Sequence, residues 1–451
     1  MDKNEQLANA PIGKLLFSLS LPAIMAQLIN VLYNMVDRMY IGHIPNIGAN
    51  ALTGVGVTMP IIMAVSAFAA LVSMGGAPRA AIMMGKGKKE EAEQILGNCT
   101  ALLFFIALLL TILILIFKEP LLLLFGASEN TLRYASDYIT IYAIGTLFVQ
   151  FALGLNAFIT TQGFAKISMF TVLIGAIINI ILDPIFIFIF SMNVKGAALA
   201  TILSQAISSL WVLYFLTSKK SNLTIQKKYL KLKPNIFLPC LALGVSPFIM
   251  QFTESVIQIC FNSSLLRYGG DIAVGAMTIL TSVMQFSMLP LQGLTQGAQP
   301  IISFNYGANN GIRVKKTFTL LLISCLFFSI SIWSISMFFP ELFVSIFTKD
   351  QELFYFTVRS IKIYMASSAI FGAQIACQQT FIALGNAKTS LFLAVLRKII
   401  LLIPLIFILP QCISNQVMAV FLAEPVADFL AVCTTVTLFA ISFRKIQENI
   451  Q

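Results

Sequence analysis

Two short runs carry the residues best suited to chemistry. The first places Gln27, Asn30, Asn34 and Asp37 at steps of three, four and three inside an apolar stretch, which puts them on one face of a helix. The second places Asn179 and Asp183 one helical turn apart, directly before Pro184, and a third apolar run offers Thr201, Ser204 and Gln205. An ionisable group in hydrocarbon costs at least about 2.5–3.5 kcal/mol on insertion scales, so each needs a reason to be there. Two carboxylates, an amide and a hydroxyl around one cavity suit a hard monovalent cation or a proton. Oxygen ligands favour Na⁺-like ions, and two carboxylates that repel each other can share a proton. Pro184 has no amide hydrogen, which frees a carbonyl one turn earlier to act as a ligand or lets the helix bend. The competing reading is that Asp37 and Asp183 only staple helices together.

The second half of the chain is built differently. One run carries Gln251, Glu254, Gln258 and Asn262, a second Gln285, Gln292, Gln296 and Gln299, a third Gln374 and Gln378, and a fourth Glu424, Pro425 and Asp428. With Pro404 aligned on Pro184, the position of Asp183 is taken by Ile403, so the carboxylate site is not duplicated. Glu254 could attract a cationic substrate, serve as a second proton site, or pair with a cation such as Arg397. Glu424 and Asp428 are open between packing and function. The charges inside the apolar runs read as mostly acidic, with Arg38 the main exception. With 18 Met and 38 Phe in the chain, an adaptable pocket for flat cations is available, and Asn34, Glu254, Gln258, Met284, Gln374 and Gln378 are its candidate lining.

The elements that must position these residues are membrane spans. Of 451 residues, 58% are hydrophobic and 10% charged, against about a quarter charged in ordinary soluble chains. Apolar runs long enough to cross about 30 Å of hydrocarbon lie near 16–42, 54–84, 95–117, 134–161, 169–190, 195–217, 236–264, 273–303, 316–340, 357–384, 390–410 and 415–442. A basic, polar stretch at 218–234 divides 1–217 from 235–451. The halves repeat. At one constant offset Tyr142 matches Tyr364, Gly163 matches Gly385, and Gly75, Pro78 and Gly85 match Gly297, Pro300 and Gly307; with a small gap Pro22 matches Pro247. The expected fold is therefore an all-α membrane protein of twelve helices in two six-helix lobes. The lobes are parallel repeats about an axis along the membrane normal, with a cleft between them.

The net charge of +11 is not a nucleic-acid signature. Lys86, Lys88 and Lys89, the lysines of 219–233, Arg313, Lys315 and Lys316, and Arg444 with Lys445 fall in alternate loops, while 43–53 and 410–416 have no basic residue. That is the positive-inside pattern with both termini cytoplasmic. The start, MDKNEQLANAPIGK, shows no apolar leader with a cleavage site. The seven cysteines are scattered without metal-ligand spacing, and the one histidine, His43, cannot build a metal site alone.

At LPAIMAQLINVLYNMVDRMYIG from Leu21, INIILDPIFIF from Ile178, KGAALATILSQ from Lys195 and AEPVAD from Ala423, the chain resembles the multidrug and toxic compound extrusion (MATE) family. Within it the likeness is to the DinF-like branch that includes MepA-type exporters. The resemblance covers essentially the whole chain. It implies an exporter of cationic or amphipathic compounds driven by inward H⁺ or Na⁺, without a cofactor, in a bacterial cytoplasmic membrane, and a monomer is expected. The family's first-lobe cation site maps onto Asp37, Asn179, Asp183 and Thr201, and Pro22 matches a first-helix proline at which bending has been proposed. Glu254 lies near an acidic position used by a different branch, but Gln374 and Gln378 stand where a partnering Asp would be expected, which favours a first-lobe site. The alternative is a flippase for a lipid-linked precursor, which calls for a strongly cationic cleft. No constellation for an intramembrane enzyme and no filter-like repeat for a channel is evident.

Overall fold

Chain that crosses hydrocarbon must satisfy its own backbone, and helices do so segment by segment. The computed structural model describes residues 3–448, with side chains to 445, and is helical with no strand among those residues. In chain order the α-helices are α1 (Lys3–Asn9), α2 (Ile12–Gly42), α3 (Gly48–Gly85), α4 (Lys89–Leu124), α5 (Glu129–Ile144), α6 (Thr146–Thr161), α7 (Ala165–Pro184), α8 (Asn193–Thr217), α9 (Pro234–Gly307), α10 (Gly311–Phe338), α11 (Pro340–Phe347), α12 (Gln351–Tyr364), α13 (Ser368–Ala383), α14 (Ala387–Val395), α15 (Ile403–Cys412) and α16 (Gln416–Glu448).

Several spans are interrupted. α5 and α6 form one span bent by 59° at Gly145. α9 is two spans joined at Gly270, whose φ of 65° is left-handed and suits only glycine without strain. π-helical turns follow α7 (Ile185–Ile189) and join α14 to α15 (Leu396–Leu402). With α12 and α13 taken as one interrupted span, the described residues make the twelve expected crossings, six in each half. A belt of exposed large apolar side chains, such as Phe104, Phe105, Leu108, Leu109 and Ile112 on α4, is the surface that lipid covers.

The repeat is visible in backbone geometry. Gly163 and Gly385, matched in sequence, adopt φ of 86° and 77°. The lobes meet reciprocally: a Cβ on Gly85 would strike the carbonyl oxygen of Phe304, and one on Gly307 would strike that of Ile82. Ile82 and Phe304 stand at the same offset as the two glycines. Gly75 lies against the Cys240 carbonyl, Gly244 against that of Leu71, and Gly297 and Gly293 against the backbone at Ser20 and Ile24. Six glycines thus let α2 and α3 touch α9 backbone to backbone. All of these contacts lie in the half of the molecule that carries the start of α2 and the end of α3, and they close the lobes against each other there.

The polar stretch after α8 is not a slack tether. It threads along the first lobe on three buried side chains. Glu93 accepts from Thr224 (3.2 Å from N, 3.0 Å from Oγ1) and from Gln226 Nε2 (2.5 Å). Asn98 accepts from Lys233 N (2.7 Å) and donates to the Tyr229 carbonyl (3.3 Å). Gln162 accepts from Leu223 N (2.8 Å) and Ser221 Oγ (3.0 Å). α1 ties to the second lobe instead, where Asn305 Nδ2 (3.0 Å) and Arg313 Nη2 (3.1 Å) both donate to the Leu7 carbonyl.

Candidate functional site

In the first lobe, α2, α7 and α8 bring the four expected residues to one place. Asp37, Asn179 and Asp183 are buried, and the carboxyl groups of Asp37 and Asp183 are in direct contact. Asn179 Nδ2 donates to Asp183 Oδ1 (3.3 Å) and reaches Thr201 Oγ1 at 3.5 Å. Three oxygens are left over: Asp37 Oδ1, Asn179 Oδ1 and Asp183 Oδ2 are buried without a hydrogen-bond partner. Buried polar atoms in folded proteins are almost always paired, so three orphan oxygens on three adjoining residues form a cluster of acceptors open to a donor or a cation. A proton between the carboxyls or a Na⁺ ion held by the oxygens both fit the donor set. Pro184 ends the regular helix immediately after Asp183, and the wider π turn follows; such turns recur at functional sites.

Tyr138 belongs to this site and was not singled out from the sequence. It is buried, its hydroxyl meets Thr201, and its charge environment is set by Asp37 and Asp183. Tyr142 stacks on it at 6.4 Å between ring centroids. The signal available in the sequence was the ladder of Tyr134, Tyr138 and Tyr142 at (i, i+4) spacing along α5.

Between the lobes, on the far side of the glycine seal, lies a cavity of about 620 Å³. Glu254, Gln258, Met284, Gln374 and Gln378 all line it, with Met250, Met277, Met288, Phe371 and Tyr364. The first lobe contributes Val31, Ile62, Met63 and Ser66. Asn34 is not in the wall, and its amide donates to the Asn30 carbonyl (2.7 Å). α2 runs unbroken across Pro22, which is buried. Gln374 Nε2 donates to Gln378 Oε1 (3.3 Å), and Gln378 Nε2 contacts Met250 Sδ (3.3 Å).

The second lobe corrects one expectation and shows which cation Glu254 meets. Its span from α14 to α15 carries two buried cations, Arg397 and Lys398, so Arg38 is not the main exception among the mostly acidic intramembrane charges. The partner of Glu254 is not Arg397. Lys398 Nζ lies 2.6 Å from Glu254 Oε2, while Arg397 donates to Asp428 Oδ1 (2.6 Å) and Glu424 Oε1 (3.0 Å) and stacks on Phe371, 4.5 Å from the ring centroid. Both cations sit in the π turn Leu396–Leu402. Among the described residues no group of His, Cys, Asp and Glu is arranged to hold a metal ion.

An all-helical, multi-pass chain with two repeated lobes, a central cavity and buried charge has the architecture of a membrane transporter. The MatE family model matches residues 22–185 and 247–408, two segments that open at Pro22 and Pro247, the prolines paired by the repeat. The chain belongs to this family and is a MATE transporter of the MepA-like kind. It is 26% identical over 434 residues, 95% of each chain, to the multidrug export protein MepA of Staphylococcus haemolyticus (strain JCSC1435). To the MepA of Staphylococcus aureus (strain NCTC 8325 / PS 47) it is 25% identical over 415 residues, 90% of each chain. Among solved structures, an outward-facing multidrug resistance MATE family transporter of the MOP superfamily superposes with a TM-score of 0.91 at 21% identity, covering 99% of both chains. A MATE protein in a bent conformation gives 0.93 at 20% identity, covering 100% of this chain and 99% of that one. A MOP superfamily transporter from Pyrococcus furiosus, described as having a binding pocket of reverse polarity that suggests a different function, gives 0.91 at 20% identity, covering 99% of both chains. The shared fold leaves the cargo to the pocket.

Proposed function

We propose that this protein is a secondary active multidrug exporter. It exchanges cationic or amphipathic organic compounds against inward H⁺ or Na⁺ in a bacterial cytoplasmic membrane, as a monomer with both termini inside. The observation that carries this reading is the contact of Asp37 with Asp183 beside Asn179, with three buried oxygens unpartnered. The names of the MepA relatives support the multidrug part.

In this reading the glycine seal is the inner gate, closed, and the cavity faces outward. A proton or Na⁺ entering at Asp37 and Asp183 relieves the repulsion between them. α2 and α7 repack, the cavity loses affinity for its cargo, and the lobes then rock open on the inner side to release the ion and rebind substrate. Coupling requires that ion and substrate each favour a different state. One charge moved down 100 mV supplies about 2.3 kcal/mol, enough for roughly a 50-fold substrate gradient.

The flippase alternative calls for a cationic cleft. Arg397 and Lys398 are the cations available, and three carboxylates neutralise them, so the cavity is not a pyrophosphate cradle. The test is ethidium efflux from energised cells and proteoliposomes, wild type against Asp183→Asn, with and without Na⁺ and a protonophore. Loss of efflux in the variant supports the site, and the ion whose removal stops the wild type is the coupling ion. Full efflux by Asp183→Asn would sink the scheme.

A further inference from the structure

Lys398 has no part in the cycle described above. Its side chain is 8% exposed, yet its partner Glu254 is 41% exposed and lines the cavity. The neighbouring Arg397 is locked by Asp428, Glu424 and the Phe371 ring, whereas the hydrogen bond that holds the Lys398 ammonium goes to Glu254. Three carboxylates face two cations, so the group carries one negative charge in excess. Glu254 and Glu424 both line the cavity, and Glu254 is the more exposed of the two, 41% against 7%. Glu424, which accepts from Arg397, lines the same cavity as Lys398 and is the second carboxylate there.

We propose that Lys398 is a tethered stand-in for a cationic substrate. An organic cation entering the cavity takes Glu254 by displacing the Lys398 ammonium, which passes toward Glu424, and the cation is expelled when the ammonium returns. The inference rests on the exporter reading and names the residue that limits its affinity. A competitor built into the wall lowers apparent affinity by the fraction of time it holds the site. It thereby keeps the cavity from trapping its cargo, without loss of preference for positive charge.

The experiment is ethidium binding, read by fluorescence anisotropy, to the full-length protein in lipid nanodiscs, alongside efflux by the same variants. Lys398→Met is expected to bind ethidium about tenfold or more tightly than wild type, the scale of a close charge pair, and to turn over more slowly. Glu254→Gln with Lys398→Met should return affinity to the wild-type level or below. The exchange Glu254→Lys with Lys398→Glu keeps the pair but turns the ammonium toward the cavity, and should bind ethidium about tenfold more weakly. If wild type binds and exports ethidium but Lys398→Met is no tighter, or the gain survives Glu254→Gln, the inference falls and the exporter reading stands. If neither wild type nor Lys398→Met binds or exports ethidium, the exporter reading falls and takes the inference with it. Should Lys398→Met aggregate on size exclusion, the charge exchange decides alone, since it retains both charges, and unchanged ethidium affinity there refutes the proposal.

Discussion

The two lobes share a fold and differ in how they treat buried charge. In the first, Asp37 and Asp183 lie against each other, Arg38 acts on Asp37 without forming an ion pair with it, and oxygens on both carboxylates are left unpartnered. In the second, among the described residues, the buried Glu424 and Asp428 both lie within 3.0 Å of Arg397, and the half-exposed Glu254 lies 2.6 Å from Lys398. On the exporter reading proposed above, a site that takes up and releases an ion gains from lacking a permanent counter-ion. The duplication therefore supplied one framework twice with different fillings: the first copy leaves its carboxylates without an ion pair, and the second pairs its carboxylates internally.

The largest effect should come from breaking the internally paired copy. Arg397→Met leaves Glu424 and Asp428 buried and unpaired, which costs about 3–5 kcal/mol when one partner of a buried pair is removed. The expected outcome is poor expression and a large fall in the melting temperature of detergent-solubilised protein. Unchanged stability would mean that the network is not structural. Asp183→Asn is the counterpart in the other lobe. Removing charge from a crowded, uncompensated site should leave thermal stability equal or higher while coupled efflux drops to background. A variant that loses stability in step with efflux would erase the contrast between the lobes.

The symmetry itself can be tested at the seal. A methyl group at Gly85 or Gly307 meets a backbone carbonyl, and overpacking of this kind costs about 1–3 kcal/mol. Here the strain is relieved by parting the lobes, so Gly85→Ala and Gly307→Ala should each shift the population toward the state in which the seal is open by roughly 5- to 150-fold. Distance measurements between spin labels on α3 and α9 would record it. Equal shifts support the pseudo-twofold reading, and a shift in only one variant contradicts it.

What the sequence made legible follows from what each residue type does without its neighbours. Glycines that permit left-handed turns or backbone contact, and prolines that interrupt helices, are tied to local geometry, so Gly163 with Gly385 and Gly85 with Gly307 carried the repeat into view. Asp37 and Asp183 stood out because charge in an apolar run is expensive wherever it falls. The pairing of charges was not legible in the same way. Arg397 and Lys398 are adjacent, and on a regular helix adjacent residues point about 100° apart. Which carboxylate each meets depends on the π turn that carries them and on the packing of α9 and α16, neither of which is written into the run LRKII. Tyr138 was passed over for a similar reason: an apolar ring with one hydroxyl reads as core until the position of its partner, Thr201, is known.

That tyrosine gives the smallest and most discriminating test. Tyr138→Phe keeps the ring, its stacking on Tyr142 and the bulk that closes the site. It removes only the hydroxyl that meets Thr201. A hydrogen bond of this kind contributes about 0.5–1.5 kcal/mol, so the expected change is roughly 2- to 10-fold in the ion concentration that half-activates efflux, with maximal efflux and melting temperature near wild type. If the hydroxyl only steadies the helix pair, stability will move and the ion dependence will not. If it shapes the ion site through Thr201, the ion dependence will move alone. The matched residue in the other lobe, Ser360, donates to the Phe356 carbonyl within its own helix (2.9 Å). Ser360→Ala should therefore leave the ion dependence untouched, and a shift there as large as that of Tyr138→Phe would mean that the second lobe also senses the ion.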